Sequence, residues 1–207
     1  MRNKFIPAGI IVFLFGISTA ISANAQTDVA ASLYGAFSGG TTGEGVQQSP
    51  SNAAGGLLKV RHIRNPLIGY EATYSFNRAN QTYSGGIACG FSCLPLNTGS
   101  VSANAHEVTG DWVVSLHLGN LRPFALAGGG VLIDVPVNGA THLADSTSTE
   151  GVFVYGGGLD WGLVPHLGLR LQYRGNVYKA PQLIDSFSST NAFTHTAEPM
   201  VGVYFRL

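Results

Sequence analysis

Charge is scarce in this chain. Aspartate, glutamate, lysine and arginine make up 11% of its 207 residues, less than half the ~25% usual for soluble domains. The 11 basic residues balance the 11 acidic ones and form no basic patch, which argues against a nucleic-acid partner. Cysteine is nearly missing, with Cys89 and Cys93 alone in a Gly/Ser-rich stretch. No histidine cluster has the spacing of a metal site, and neither a metal nor a cofactor is expected. Past residue 25 no apolar run approaches the ~20 residues of a membrane helix, and the helical period of 3.6 is absent. A poorly charged chain of this kind either hides its apolar surface in a large core or shows it to lipid. In lipid, only helices and closed barrels satisfy their backbone hydrogen bonds.

The first 25 residues stand apart. Arg2 and Lys4 form a basic start, Phe5 to Ser22 is apolar, and Ala23-Asn24-Ala25 is a small-x-small cleavage site. This predicts a signal peptide over 1–25 and a mature domain over 26–207. The alternative is an uncleaved N-terminal anchor. The mature part has 9 basic and 11 acidic residues, a formal charge of −2. Export would place Cys89 and Cys93 in an oxidising compartment, so a local disulfide is the first reading.

What is present is period-2 alternation, repeated eight times. The segments are about 29–38, 56–63, 67–78, 105–118, 122–134, 151–161, 167–178 and 194–207. The third is the clearest: Ile68, Tyr70, Ala72, Tyr74 and Phe76 alternate with Gly69, Glu71, Thr73, Ser75 and Asn77. Most of the segments reach the ~9–11 residues of a tilted membrane strand. Their connections alternate in length. Arg64-Asn65-Pro66, Gly119-Asn120-Leu121 and 162–166 are tight, whereas 39–55, 79–104, 135–150 and 179–193 are long and polar. Short turns on one side and long loops on the other are the pattern of an antiparallel up-and-down barrel with its termini in the periplasm.

If the polar faces point inward, the interior holds Lys59, Arg61, Arg170, Arg174 and Arg206 against Glu71, Glu107, Asp111, Asp160 and Glu198. An eight-stranded barrel is just wide enough for side chains to fill it. Buried charges must be paired, so these residues read as a structural plug, with a gated polar conduit as the alternative. Trp161, Phe124 and Tyr173 are candidates for aromatic girdles on the outer face. The triplets Gly128-Gly129-Gly130 and Gly156-Gly157-Gly158 lack a phosphate-loop context. They read instead as room for inward arginines.

These features resemble the eight-stranded outer-membrane barrels, the group that contains the transmembrane domain of outer membrane protein A. The resemblance rests on the signal-like start, the eight segments, the runs Leu67–Tyr74 and Arg122–Gly130, and the terminal Val201–Leu207. It covers the whole of 26–207. Two departures matter. The last residue is Leu207, where these barrels usually end in phenylalanine, and the family's peptidoglycan-binding domain is not seen. The resemblance implies that Val201, Val203, Phe205 and Leu207 look like the signal read by the barrel-assembly machinery, after periplasmic chaperones deliver the chain.

Some such barrels modify lipid A with a Ser-His-acid arrangement at H-x-S spacing. None of His62, His106, His117, His142, His166 and His195 has a serine two places on. The nearest polar cluster is His195-Thr196-Ala197-Glu198, where the adjacent threonine would face away from the histidine. The sequence therefore points to an all-β, eight-stranded transmembrane barrel of the bacterial outer membrane and not to an enzyme. Its expected roles are scaffold or surface interaction through four long loops. The alternatives are a narrow porin-like channel for small solutes, a lipid A-modifying enzyme, or a soluble ligand-binding barrel.

Overall fold

A computed structural model describes residues 26–64, 67–85, 97–137, 146–184 and 189–207. The segment 1–25, the Cys89 and Cys93 pair, His142 and the Asn65-Pro66 step lie outside the described residues. Ten strands follow in chain order: β1 (Gln26–Ser38), β2 (Thr41–Gly43), β3 (Val46–Pro50), β4 (Ala53–Ile63), β5 (Ile68–Gly85), β6 (Asn97–Ser115), β7 (Leu121–Val137), β8 (Ser148–Val164), β9 (Leu167–Lys179) and β10 (Phe193–Arg206).

Eight of them close a cylinder. Each of β4 to β10 is antiparallel to its chain neighbour. The seam joins β1 to β4 on one side and to β10 on the other. Val29 lies opposite Phe205 and Leu33 opposite Val201, so the terminal strand completes the ring and leaves no free edge. Among the described residues no helix is long and apolar enough to cross a membrane.

Alternation sorts the side chains. Along β5 the outward positions Ile68, Tyr70, Tyr74 and Phe76 are exposed, while Glu71, Thr73 and Ser75 are buried inside. The apolar outer face covers the first nine of that strand's 18 residues, about one bilayer crossing for a tilted strand. Beyond Phe76 the outward residues become Arg78, Asn80, Thr82 and Ser84, yet the strand continues. The facing part of β6 behaves in the same way, with Ser100, Ser102 and Asn104 outward and Val101 and Ala103 buried. The expected long loop 79–104 is therefore largely paired strand standing above the apolar belt.

The expected loop 39–55 also contains structure. β2 and β3 form a hairpin that continues the sheet along the upper part of β5. Its turn is Glu44-Gly45, both with positive φ (49° and 77°). That is the backbone of a two-residue hairpin turn, whose twist matches that of the strands.

One expectation is corrected. Phe124 was a candidate for the outer girdle, but it is 6% exposed and faces inward. It shares its parity with Arg122 and Leu126, and the Arg61 guanidinium lies 4.0 Å from its ring centre. Trp161 and Tyr173 are on the outer face. Toward the short turns, aromatics meet histidines on the outside in the pairs His62–Tyr70 and His166–Phe205. Toward the long loops the equivalent groups are Tyr74–Phe76–His106 and Tyr155–His195.

Candidate functional site: barrel interior and crown

The interior is built from every second residue of the eight staves and holds two charged layers. The layer nearer the short turns is a chain of ion pairs. Lys59 Nζ lies 2.8 Å from Glu71, whose other oxygen accepts from Arg61 at 2.7 Å. Arg61 reaches Asp160 at 3.3 Å. Arg170 holds Asp160 with two hydrogen bonds, 2.6 and 2.8 Å, and reaches Asp28 at 3.1 Å. Three cations thus meet three anions, all at most 2% exposed. Lys59 also donates to Gln172 at 2.7 Å. Phe124 and Tyr204 lie beneath the guanidiniums, with Arg170 5.5 Å and 5.2 Å from their ring centres. A carboxylate in such a place needs its partners, because a lone buried charge costs several kcal/mol.

The second layer lies toward the long loops and is acidic. Arg174 pairs with Glu107 at 2.7 Å and with Glu198 at 3.8 Å, and it donates to Thr109 at 2.9 Å. Asn176 donates to Glu107 at 2.9 Å. Asp111 accepts a 3.1 Å hydrogen bond from Thr109, with no cation within ion-pair distance among the described residues. Above this layer a cavity of about 30 Å³, lined by Glu107, Asp134, Glu198 and Asn176, faces the loops. It has room for roughly two waters. A second, larger cavity of about 310 Å³ lies at the short-turn end, lined by Arg122, Tyr204 and Arg206 among others. No residue lines both, and the first ion-pair layer stands between them.

Of the residues singled out in the sequence, the structure joins Lys59, Arg61, Glu71, Asp160 and Arg170 in one cluster and Arg174, Glu107 and Glu198 in another. Arg206 joins neither. It is half-buried at the short-turn mouth, 5.8 Å from the Tyr204 ring centre. Three interior charges escaped the sequence reading: Asp28, the second anion of Arg170, Arg122 and Asp134. Parity could have found them, since Asp28 alternates with Val29, Arg122 with Leu121 and Asp134 with Val135. The four residues Val201, Val203, Phe205 and Leu207 are all exposed on the outer face.

The inward glycines give the expected room. A Cβ at Gly158 would sit 2.7 Å from the Phe124 ring and 2.3 Å from the Leu171 carbonyl, and one at Gly156 would sit 2.3 Å from the Tyr173 carbonyl. Gly158 lies opposite both Phe124 and Gln172, so its missing side chain lets the ring lie flat beneath the arginines.

The long-loop end is a packed crown. Val46 of the hairpin, Tyr83 of β5, Val101 and Ala103 of β6, and Leu183 and Ile184 of the β9–β10 connection form a buried apolar cluster. Tyr83 Oη donates to the Pro181 carbonyl at 2.7 Å and accepts from the Leu183 N–H at 3.2 Å. Gln48 donates to the same carbonyl at 3.1 Å. Burial raises the Tyr83 hydroxyl above its ordinary pKa, which keeps it a donor. Ser146 N–H reaches the Leu183 carbonyl at 3.0 Å and ties the β7–β8 connection to the same core. The sequence showed these as separate polar loops, whereas they share one small core.

His195 points outward and meets the Tyr155 hydroxyl at 2.9 Å, while Thr196 and Glu198 point inward. Among the described residues no group of three or more His, Cys, Asp or Glu side chains could hold a metal ion.

No family model and no curated protein matches the chain. Solved structures do. The outer membrane protein OprG from Pseudomonas aeruginosa aligns with a TM-score of 0.60 at 10% identity, over 89% of this chain and 96% of its own. Neisserial surface protein A aligns at 0.52 and 13%, over 88% and 98%. Ail, the attachment invasion locus protein of Yersinia pestis, in complex with the heparin analogue sucrose octasulfate, aligns at 0.51 and 14%, over 89% and 99%. The chain has the fold of these small outer-membrane barrels.

Proposed function

We propose that the chain is an outer-membrane barrel whose plugged interior makes it a scaffold for the crown, through which it meets partners outside the cell. The observation that carries this reading is the union of an apolar outer face with an inner face of matched, dehydrated ion pairs. In water the first would be a liability, and in lipid it is required. The short-turn end then faces the periplasm and the crown faces out. Val201, Val203, Phe205 and Leu207 serve as the outward-facing assembly signal for the barrel-assembly machinery, after chaperones bring the exported chain. Cys89 and Cys93 close a disulfide in the β5–β6 connection.

The plug supports a silent barrel over a channel, since ions would have to break the Arg61–Asp160–Arg170 contacts to pass. The separation of His195 from Glu198 supports a binding role over lipid chemistry. Reconstitution in planar bilayers is the test of the first point. No steady conductance is expected for the wild type, and regular openings would make it a narrow channel. Mass spectrometry of lipid A from cells with and without the gene tests the second, and no change is expected.

A further inference from the structure

The interior charges are not evenly spread along the axis. The acidic excess near the loops can relieve itself, because a carboxyl can take up a proton. An arginine has no such exit, since its guanidinium stays charged at any ordinary pH. Arg122 is 3% exposed, and its Nε and Nη1 have no hydrogen-bond partner among the described residues. Its one side-chain bond is from Nη2 to Gln26 Oε1. Its cross-strand neighbour Asp160 is taken by Arg170 and Arg61. Among the described residues Arg206 also lacks a carboxylate within ion-pair distance, and its Nε is buried without a partner. Both arginines line the 310 Å³ cavity at the short-turn mouth together with His117. Among the described residues no acidic residue lines it.

We propose that this mouth is an oxyanion site, with Arg122 and Arg206 as its cationic floor and a phosphate group as its occupant. The chemistry follows from the donors. A guanidinium offers a planar fork that fits phosphate oxygens, and a buried one without a partner gains most from such a bond. The volume suits a small anion or a lipid headgroup. The rim includes Leu163 and Val164, both about half exposed, so phosphate can arrive free from the periplasm or on a phospholipid of the inner leaflet. His117 reports on the site. Burial first, then the charges of Arg122 and Arg206, hold its pKa below the ordinary value, and a bound anion must raise it.

The test uses the whole barrel in zwitterionic micelles, titrated with inorganic phosphate at ionic strength balanced with chloride and followed by the His117 NMR signal. A second arm uses the same micelles, made of a phosphate-free sulfobetaine detergent, with and without added phosphatidylglycerol. A saturable rise in the His117 pKa with inorganic phosphate assigns a free anion, and a rise with phosphatidylglycerol alone assigns a headgroup. In R206Q, at the half-exposed rim, affinity should fall by about tenfold or more, and R206K should keep part of it. Two results overturn the proposal. One is no response beyond chloride in either arm; the other is a response undiminished in both R206Q and R122Q when each variant still folds as a barrel.

Discussion

Arg170→Met should unfold the barrel far more readily than Arg122→Met, although both remove one interior arginine. Arg170 carries two bonds to Asp160 and one to Asp28. Without it, Asp28 has no ion-pair partner, and Asp160 keeps only Arg61 at 3.3 Å. Breaking a buried pair from one side costs about 3–5 kcal/mol, because the other charge stays behind. At ~1.4 kcal/mol per tenfold, the folding equilibrium should drop between about a hundredfold and a few thousandfold. Arg122 leaves no carboxylate behind, only Gln26, so its loss should cost below about 1.5 kcal/mol. The assay is urea-dependent folding into phosphatidylcholine vesicles without added inorganic phosphate. Trp112 and Trp161, both exposed on the outer face, are the reporters, and they are the only two tryptophans. If Arg170→Met costs no more than Arg122→Met, the ion-pair layer does not hold the barrel and the plug argument fails.

Glycine replacements should separate by face. Gly158→Leu, aimed at the Phe124 ring, should block folding in the same assay, whereas Gly110→Ala, with nothing within 4 Å of its added Cβ, should be tolerated. Leu171→Arg, on the outer face in the middle of β9, should cost about 2–4 kcal/mol in lipid, but Leu163→Arg near the short-turn end only about 0–1 kcal/mol. Tyr83→Phe removes the hydroxyl that clasps Pro181 and Leu183. It should speed hydrogen exchange and protease cleavage in residues 180–184 while leaving the gel mobility of the barrel unchanged; equal protection in both proteins would mean the clasp is not needed.

The fold was legible where lipid enforces the pattern. Ile68 to Phe76 and Leu167 to Tyr173 alternate strictly because one face meets hydrocarbon and the other a polar interior. The pattern fades where water replaces lipid. Above the belt, Arg78, Asn80, Ser100 and Ser102 lie outward on paired strands, and polar residues on that face read as loop. The β2–β3 hairpin escaped for a similar reason: its turn is Glu44-Gly45, where Asn-Gly or Asp-Gly would have signalled it. Phe124 was misplaced because an aromatic ring suggests the membrane interface, while its parity with Arg122 points inward. Ten charged residues were visible as an interior set, whereas Asp28, Arg122 and Asp134 were not. Their partition into a balanced layer and an acidic layer depends on strand stagger, which alternation alone does not specify.

Electrophoresis of an outer-membrane fraction in cold detergent, with and without boiling, bears most directly on the closed, lipid-embedded barrel. A closed cylinder joined at the β1–β10 seam should resist detergent until heated, so the two samples should run at different positions. A single mobility in both, with the protein recovered from the soluble periplasm, would contradict the account.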